Sequence, residues 1–189
     1  MLIERKYKEA VAHLTKGNVL LCPTDTIWGI SCDATNNSAI QRIKTLKERP
    51  GDKSFIVLMA NETMLMDYLE KSIHPTALEL LHRADRPTTI IFPNLKGISS
   101  EALANDGSLG IRIPQVEWLQ EVITQFGKPI VSTSANISGQ PSPSTFEDIN
   151  TRIVHGVDFV LPTFLEQRDV APSRIMKVEA DGSMTRIRE

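Results

Sequence analysis

Short apolar segments that alternate with amphipathic ones constrain the fold of this chain more than any other feature of its sequence. Residues 54–60 read Ser-Phe-Ile-Val-Leu-Met-Ala, a continuous run typical of a central strand that is covered on both faces. Apolar residues at helical spacing precede this run in residues 38–47 and follow it in 116–126 and 146–154. The alternation predicts an α/β fold, with some antiparallel pairing where connections are short.

With 189 residues, the chain is long enough to bury a sizeable core. No repeat, low-complexity tract or linker divides it, so we predict a single domain over residues 1–189. The N-terminus lacks the apolar segment of a signal peptide, and no apolar run suffices to span a bilayer, so a cytoplasmic protein without membrane contact is expected. Cys22 and Cys32 lie in apolar, strand-like runs. Two buried reduced thiols are the simpler expectation, although the spacing is compatible with a disulfide.

The overall charge argues against a protein whose main task is to bind nucleic acid. Proteins that grip a phosphate backbone usually carry a large basic excess, whereas this chain has a net charge of −2. Basic residues can still gather on one surface, so a weak tRNA contact stays open. The histidines are scattered along the chain, and no metal-ligating residue is predicted.

Three cations, Lys47, Arg49 and Lys53, lie close together near the end of a predicted helix. Pro50 limits the backbone and Gly51 permits a tight turn, which would aim the cations at a polyphosphate. The alternative is a solvated helix end, where the helix dipole favours cations. Taken alone, the segment favours this second interpretation, because charge runs usually lie on the surface.

Two segments rich in hydroxyl groups are further candidates for ligand binding. Thr24 and Thr26 flank Asp25 between apolar stretches, and Trp28 follows as a candidate wall. Residues 132–139, Ser-Thr-Ser-Ala-Asn-Ile-Ser-Gly, follow a predicted strand, where small hydroxyl and N–H groups commonly contact ligands in α/β sheets. Each segment is also compatible with an ordinary turn that is held by local side-chain bonds.

Two further cations, Arg112 and Arg186, are candidates outside these segments. Arg112 lies inside the apolar segment 110–114, where an arginine usually has an anionic partner or points to solvent. Arg186, near the C-terminus, is compatible with simple exposure. The sequence has no phosphate loop, dinucleotide fingerprint or nucleophile elbow, and its histidines offer no obvious base. Chemistry in this chain would therefore depend on positioning and charge rather than on a covalent nucleophile.

Taken in order, these segments resemble the YrdC-type threonylcarbamoyl-AMP synthase family in its short, single-domain form. The resemblance covers nearly the whole chain, and its motifs are residues 23–29, 47–53, 110–114, 132–143 and 172–173, with the basic tail at Arg186. There are two departures from the family pattern. Arg86 occupies a place where relatives usually carry glycine, so it would narrow the cavity or face outward. Val116 and Glu117 stand where relatives often carry a His-Pro pair.

The resemblance implies an open, twisted mixed sheet of the YrdC-like fold around a concave, basic cavity. It places three cations at the ATP phosphates as the catalytic residues, namely Lys47, Arg49 and Lys53. It places four residues around L-threonine, with the arginine on the carboxylate: Thr26, Arg112, Ser132 and Ser173. The residues expected to hold the nucleotide are Lys47, Arg49, Lys53, Ser108, Ser134, Asn136, Ser142 and Arg186.

The implied enzyme is a nucleotidyltransferase that condenses L-threonine, bicarbonate or CO2 and ATP to threonylcarbamoyl-AMP and pyrophosphate, for threonylcarbamoyladenosine in tRNA. Mg²⁺ would accompany ATP, and the tRNA threonylcarbamoyl transferase complex would receive the product. Two alternatives stay open: an RNA-binding module in ribosome or tRNA maturation, and a sister protein of the same fold without synthase activity. An aromatic content of 5% offers few rings for base stacking and counts against the RNA-binding module.

Overall fold

The computed structural model describes residues 2–49, 54–70, 73–93, 95–162, 165, 171–179 and 181–189, with the main chain alone described at 2, 3, 82 and 83. The α-helices in this part of the chain are α1 Leu2–Thr15, α2 Asn37–Lys47, α3 Glu62–Tyr68, α4 Pro75–Arg83, α5 Glu117–Phe126 and α6 Thr151–Gly156. The strands are β1 Leu20–Cys22, β2 Gly29–Asp33, β3 Ile56–Leu58, β4 Thr88–Phe92, β5 Leu109–Arg112, β6 Ile130–Ser134, β7 Phe159–Val160, β8 Arg174–Val178 and β9 Met184–Arg188. Within the described residues, no helix combines the length and apolar character that crossing a bilayer requires.

The described strands form one sheet in the order β7-β1-β2-β6-β3-β5-β4-β8-β9. The pairs β1/β7, β3/β5 and β4/β8 are parallel, and the other neighbouring pairs are antiparallel. The mixed α/β class that the alternating segments predict is therefore confirmed, as is the open sheet that the resemblance implies.

The predicted helix over residues 146–154 is interrupted. A short 3-10 helix ends at Asp148, Ile149 is extended, and α6 begins only after Asn150. Asn150 caps α6, because its side chain accepts a hydrogen bond from the N–H of Arg152 at 2.9 Å. A strong N-cap residue inside one apolar pattern therefore divides the predicted helix into two short ones.

Alternating side chains give the sheet two apolar faces. One face carries Val57 and Ile111, which share a buried core with residues of α2, α3 and α4. The opposite face carries Leu58 and Ile130, which share a second core with residues of α1 and α5. Burial on both faces of β3 is the arrangement that the continuous apolar run of residues 54–60 predicts.

The second face is covered only in part, and a row of its residues forms the floor of a cavity. The strand register pairs Ser132 with Ile56, Ile56 with Gly110, and Gly110 with Ile91. Paired residues point to the same face of a sheet, so these four side-chain positions form a continuous row across β6, β3, β5 and β4. All four line the cavity. The sheet itself is therefore the base of the candidate site.

Cys22 and Cys32 are buried and free, as the apolar runs around them predict. Burial raises the pKa of Cys22 to about 11, so its thiol keeps its proton at neutral pH. Neither residue lines the cavity above the sheet. Their contribution in this structure is apolar packing.

The close packing of β5 against Thr89 of β4 in the cavity floor requires a residue without a side chain at position 110. A Cβ atom at residue 110 would lie 2.9 Å from Cγ2 of Thr89. We expect Gly110→Ala to lower the free energy of unfolding by roughly 1–3 kcal/mol, the usual cost of overpacking, as measured by urea denaturation. Adding Thr89→Ser removes the opposing methyl group and should recover most of the loss. An equal loss in the double variant would show that the close approach is not the cause.

Candidate active site

A cavity of about 500 Å³ opens on the exposed part of the sheet face. Its wall combines segments that are far apart in sequence: the β1–β2 loop, residues around Arg49, strands β4, β5 and β6, and the C-terminal strands β8 and β9. The predicted site residues that line it are Thr26, Arg49, Arg112, Ser132, Ser134, Ser142 and Ser173. Arg49 and Arg112 therefore share one cavity, which the implied activity requires.

The loop between β1 and β2 is held by its own hydroxyl groups. Thr24 Oγ1 lies 2.8 Å from Thr26 Oγ1, accepts a hydrogen bond from the N–H of Thr26 at 3.0 Å and donates to the carbonyl of Ile27 at 2.9 Å. The turn brings Thr26 and Trp28 to the cavity, where the Trp28 ring lies 5.2 Å from that of Phe146. The segment is thus both a locally bonded turn and a cavity wall.

Arg112 is buried, and its observed partner is Asp25. Nη1 of Arg112 donates to Oδ1 of Asp25, and Nη2 lies 3.4 Å from Thr26 Oγ1. The other carboxylate oxygen of Asp25 accepts a hydrogen bond from the N–H of Gln115 at 2.9 Å. Nε of Arg112 is buried without a hydrogen-bond partner among the described residues. A threonine carboxylate at this guanidinium would therefore share it with Asp25, a partner that sequence analysis did not assign.

Arg49 reaches the cavity because α2 ends in a left-handed turn. Glu48 has a φ of 52°, and its N–H bonds to the carbonyl of Thr45 at 3.2 Å, so the chain leaves the helix just before Arg49. The Arg49 guanidinium lies over the ring of Phe55, with Cζ 4.5 Å from the ring centroid. Nη2 donates to the carbonyl of Ser54 at 2.5 Å. These contacts fix the cation against the cavity wall.

The amine of Lys47 is not at the cavity. Lys47 is 1% exposed and is not part of the lining. Its Nζ donates to the carbonyl of Ser134 and, at 2.6 Å, to that of Asn136, and it lies 3.5 Å from Oδ1 of Asn136. Burial, and then the charge of Arg49, lowers the pKa of Lys47 to about 7. The placement at the ATP phosphates that the resemblance implies is therefore not observed for Lys47.

The segment after β6 brings two hydroxyl groups to the cavity but not the amide of Asn136. Ser134 and Ser142 line the cavity. Asn136 instead donates from Nδ2 to the carbonyls of Ile137 at 3.1 Å and Gln140 at 2.6 Å. The amide therefore stabilises the turn that connects the two serines, and the predicted direct contact of Asn136 with a nucleotide is not supported by its position.

The C-terminal strands supply a cation that sequence analysis missed. Oγ of Ser173 lies 2.8 Å from Oγ1 of Thr89, and Nη2 of Arg188 donates to the carbonyl of Ser173 at 2.7 Å. All three residues line the cavity. Burial, and then the charge of Arg112, lowers the pKa of Arg188, so the two guanidinium groups influence each other. Sequence analysis also did not assign Thr89 to the site. The available signal was its position in segment 86–89, which departs from the family pattern only at Arg86.

Arg186 lies on the face of β9 opposite to that of Arg188. The register pairs Arg186 with Met176 but Arg188 with Ile175, because a β-bulge adds one residue to β9. Neighbouring residues of β8 point to opposite faces, so Arg188 joins Ile175 in the cavity lining and Arg186 does not. Arg186 donates to the exposed carboxylate of Glu189 at 2.5 Å instead. Arg186 therefore does not line the cavity in this structure, and Arg188 is the described C-terminal cation that does.

Ser108, another expected nucleotide contact, is not brought to the cavity. Ser108 precedes β5, and its N–H donates to Oδ1 of Asp106 at 2.9 Å in a local turn outside the lining. Lys53 lies outside the described residues. Arg86 donates to exposed Glu189 at 2.6 Å and does not line the cavity, so of its two expected orientations the outward one is observed.

The charge of the lining suits an anionic ligand. Its described members include Arg49, Arg112 and Arg188 but no Asp or Glu. Asp25 offsets one of these charges from behind the wall, and the serine and threonine hydroxyls add neutral donors. In the part of the chain that the structure describes, no group of three or more His, Cys, Asp or Glu side chains could hold a metal ion.

We expect Asp25→Ala to lower the free energy of unfolding by about 3–5 kcal/mol, because it leaves a buried guanidinium without its counter-ion. Adding Arg112→Met should recover part of this loss, since no unpaired buried charge remains. Arg186→Ala, which breaks an exposed ion pair, is the control and should cost less than about 1 kcal/mol. Chemical denaturation measures all of these variants. A loss in Asp25→Ala no larger than that in the control would contradict the buried pair.

Most of this chain is similar in sequence to known proteins. The family model Sua5/YciO/YrdC, described as telomere recombination, matches residues 12–189. A curated threonylcarbamoyl-AMP synthase of Vibrio parahaemolyticus serotype O3:K6 is 32% identical over 149 residues, which cover 78% of this chain and 80% of that protein. The threonylcarbamoyl-AMP synthase of Blochmanniella pennsylvanica is 30% identical over 173 residues, which cover 90% of this chain and 88% of that protein.

A solved structure shares the fold. The crystal structure of P. abyssi Sua5 complexed with L-threonine has a TM-score of 0.81 and 24% identity, and the likeness covers 90% of this chain and 50% of that one. At this identity the likeness establishes the fold alone. Because the family model matches nearly the whole sequence and the curated relatives align over most of it, this chain belongs to the Sua5/YciO/YrdC family.

Proposed function

We propose that this chain makes threonylcarbamoyl-AMP from L-threonine, bicarbonate or CO2 and ATP, with release of pyrophosphate, for the threonylcarbamoyladenosine modification of tRNA. Membership of the family and the name of its curated relatives make it an enzyme of the threonylcarbamoyl-AMP synthase type. The observation that carries the assignment to a site is one cavity whose lining gathers Arg49, Arg112 and Arg188.

Both reactants in the central step are anions. The amine of threonine forms a C–N bond to CO2 and loses a proton, which gives a carbamate. A carbamate oxygen then bonds to the α-phosphorus of ATP, the bond from this phosphorus to the bridging oxygen breaks, and pyrophosphate leaves with the electron pair. Fixed guanidinium groups would offset the repulsion between the anions and the charge that grows on the leaving group.

The threonine end of the cavity is proposed to consist of Thr26, Arg112, Ser132 and Ser173. Their position in one lining supports this set, and Thr26 Oγ1 lies 3.4 Å from Nη2 of Arg112. Asp25 holds the guanidinium in one orientation, which would present it to the carboxylate without a search among rotamers.

The nucleotide end is proposed to consist of Arg49, Ser134 and Ser142, with Arg188 in the role that the resemblance implies for Arg186. The contacts of Arg49 with Phe55 and Ser54 hold its charge at the wall and support this role. Lys53 remains a predicted second phosphate cation, because it follows Arg49 in the same motif. Arginine can pair with two phosphate oxygens at once, which favours an in-line arrangement.

Mg²⁺ is proposed to enter with ATP as part of the substrate, where it would offset phosphate charge. The described residues offer no cluster of ligands for a resident ion. They also place no histidine in the lining, and the proposed reaction needs no strong base. Alignment of bound reactants can supply about 7–11 kcal/mol of the barrier reduction, so positioning is proposed as the main source of rate.

Further partners follow from the proposed product. Threonylcarbamoyl-AMP has to reach an enzyme that transfers its threonylcarbamoyl group to tRNA, so a tRNA threonylcarbamoyl transferase complex in the cytoplasm is the proposed recipient. Direct tRNA contact, if it occurs, would be weak, because a net charge of −2 provides little overall attraction for a phosphate backbone.

The purified protein, mixed with L-threonine, bicarbonate and ATP with Mg²⁺, should form threonylcarbamoyl-AMP that is detected by mass spectrometry. Arg49→Ala should lower product formation by roughly 100-fold or more, because a cation at the transition state is lost. Arg86→Ala changes an outward-facing arginine and is the matched control, with an unchanged rate expected. Absence of product from the wild type, together with salt-sensitive RNA binding, would favour the RNA-binding alternative instead.

The role of Arg112 has a separate signature. Arg112→Lys keeps the positive charge but removes the planar fork. We expect the KM for threonine to rise roughly tenfold to a hundredfold, since a charge-assisted hydrogen bond contributes about 1.5–3 kcal/mol, with little change in the KM for ATP. Steady-state kinetics with each substrate varied in turn measures both constants. Equal increases in the two constants would remove Arg112 from the carboxylate site.

A further inference from the structure

Both ends of Lys47 bind the stretch of chain that follows β6. Its ammonium group donates to the carbonyls of Ser134 and Asn136, and its own carbonyl accepts a hydrogen bond from the N–H of Ser138 at 2.8 Å. The side chain is 1% exposed. The last residue of α2 is therefore joined to residues 134–138 at two separate points.

The contacts of the amine leave it no donor for a phosphate. In its protonated form the amine has three N–H donors, and among the described residues three oxygen atoms lie within 3.5 Å of Nζ: the carbonyls of Ser134 and Asn136 and the side-chain oxygen of Asn136. These oxygen atoms take the place of water around the buried amine. To reach a ligand in the cavity, Lys47 would have to give up this complete set of partners.

The residues on either side of this junction line the cavity. Arg49 follows Lys47 by two positions on one side, and on the other side Ser134 and Ser142 begin and end the turn that the Asn136 amide stabilises. Lys47 thus connects the proposed phosphate cation to the proposed nucleotide hydroxyl groups. A shift of the turn relative to α2 would change the width of this part of the cavity.

We propose that Lys47 is a positioning residue for the nucleotide: it fixes the spacing between Arg49 and residues 134–142 and does not touch the phosphates. This inference rests on the proposed function. Loss of the amine would leave two backbone carbonyls and one amide oxygen without their donor, and the turn would lose the bonds that hold it to α2. The consequence for catalysis would be a nucleotide held less well, with the threonine end unchanged.

The first test compares Lys47→Met with Ile43→Ala, a buried control on the same helix and outside the cavity lining. We expect Lys47→Met to raise the KM for ATP roughly threefold to tenfold, the effect of one or more lost hydrogen bonds, while the KM for threonine stays within about twofold. Ile43→Ala should lower the melting temperature without changing either constant. If Lys47→Met lowers kcat alone, as a reduced active fraction would, the positioning role is wrong.

Lys47→Arg separates positioning from a direct phosphate contact. It preserves the charge but replaces a compact ammonium with a longer planar group, which does not match three converging oxygens. We expect Lys47→Arg to raise the KM for ATP as much as Lys47→Met does. Near-normal kinetics in Lys47→Arg would instead indicate that the charge acts on the phosphates and would overturn the inference.

A double-mutant cycle of Lys47→Met with Ser134→Ala tests whether Lys47 affects the KM for ATP through residues 134–142. If Lys47 acts through the position of residues 134–142, the two substitutions together should raise the KM for ATP by less than the product of their separate effects. Independent, multiplicative effects would count against the inference. Should Lys47→Met not fold, Asn136→Ala removes the side-chain acceptor and the turn amide, and it should raise the same constant.

Failure of this inference is distinguishable from failure of the proposed function. Wild-type protein that makes threonylcarbamoyl-AMP while Lys47→Met retains a normal KM for ATP would overturn the positioning role alone. Wild-type protein that makes no product would overturn the function. In that case the dissociation constant of a non-hydrolysable ATP analogue, measured by calorimetry for wild type and Lys47→Met, still tests the inference: equal constants reject it, and weaker binding by the variant supports it.

Discussion

Asp25 and Arg112 meet in a buried ion pair that joins the loop after β1 to strand β5, and the wall of the cavity depends on this join. Three strands, β2, β6 and β3, separate β1 from β5 in the sheet. At about 4.8 Å per strand spacing, β1 and β5 lie about 19 Å apart in the sheet. A single buried charge could not anchor the loop, because burying an unpaired charge costs free energy. In the ion pair, each charge has a partner of opposite sign. The N–H of Gln115 binds the same carboxylate and extends the anchor beyond β5.

The sequence could predict the features that local patterns decide. Continuous apolar runs marked the central strands, and the ordered motifs marked most residues that the cavity gathers, because these depend on residue type and spacing. The partner of Arg112 and the choice between Arg186 and Arg188 depend on tertiary geometry. In a regular strand these two arginines would share one face, but a β-bulge in β9 puts them on opposite faces, and the residue pattern of the strand does not reveal the bulge. Asp25 was visible as an acid between threonines, but only the folded loop brings it to β5.

Lys47 and Arg49 show how backbone geometry divides similar residues between different roles. Within α2, Lys47 lies on the buried side together with Ile40 and Ile43. The left-handed residue Glu48 then ends the helix and redirects the chain, so that Arg49 lies at the cavity. In the sequence alone, Lys47 and Arg49 are equivalent cations near the end of a helix. Burial makes the first a partner of backbone carbonyls, and partial exposure leaves the second able to meet an anion.

The net charge of this protein does not predict the charge of its cavity, because positive and negative side chains are distributed unevenly in the structure. A net charge of −2 suggests little attraction for anions, yet the described lining holds three arginines and no carboxylate. Fields inside a concave site are set by the nearest groups and are screened less than those at the outer surface. Asp25, the partner of Arg112, lies outside the described lining and orients that guanidinium. A protein with a net negative charge can therefore present a locally cationic cavity to anionic ligands.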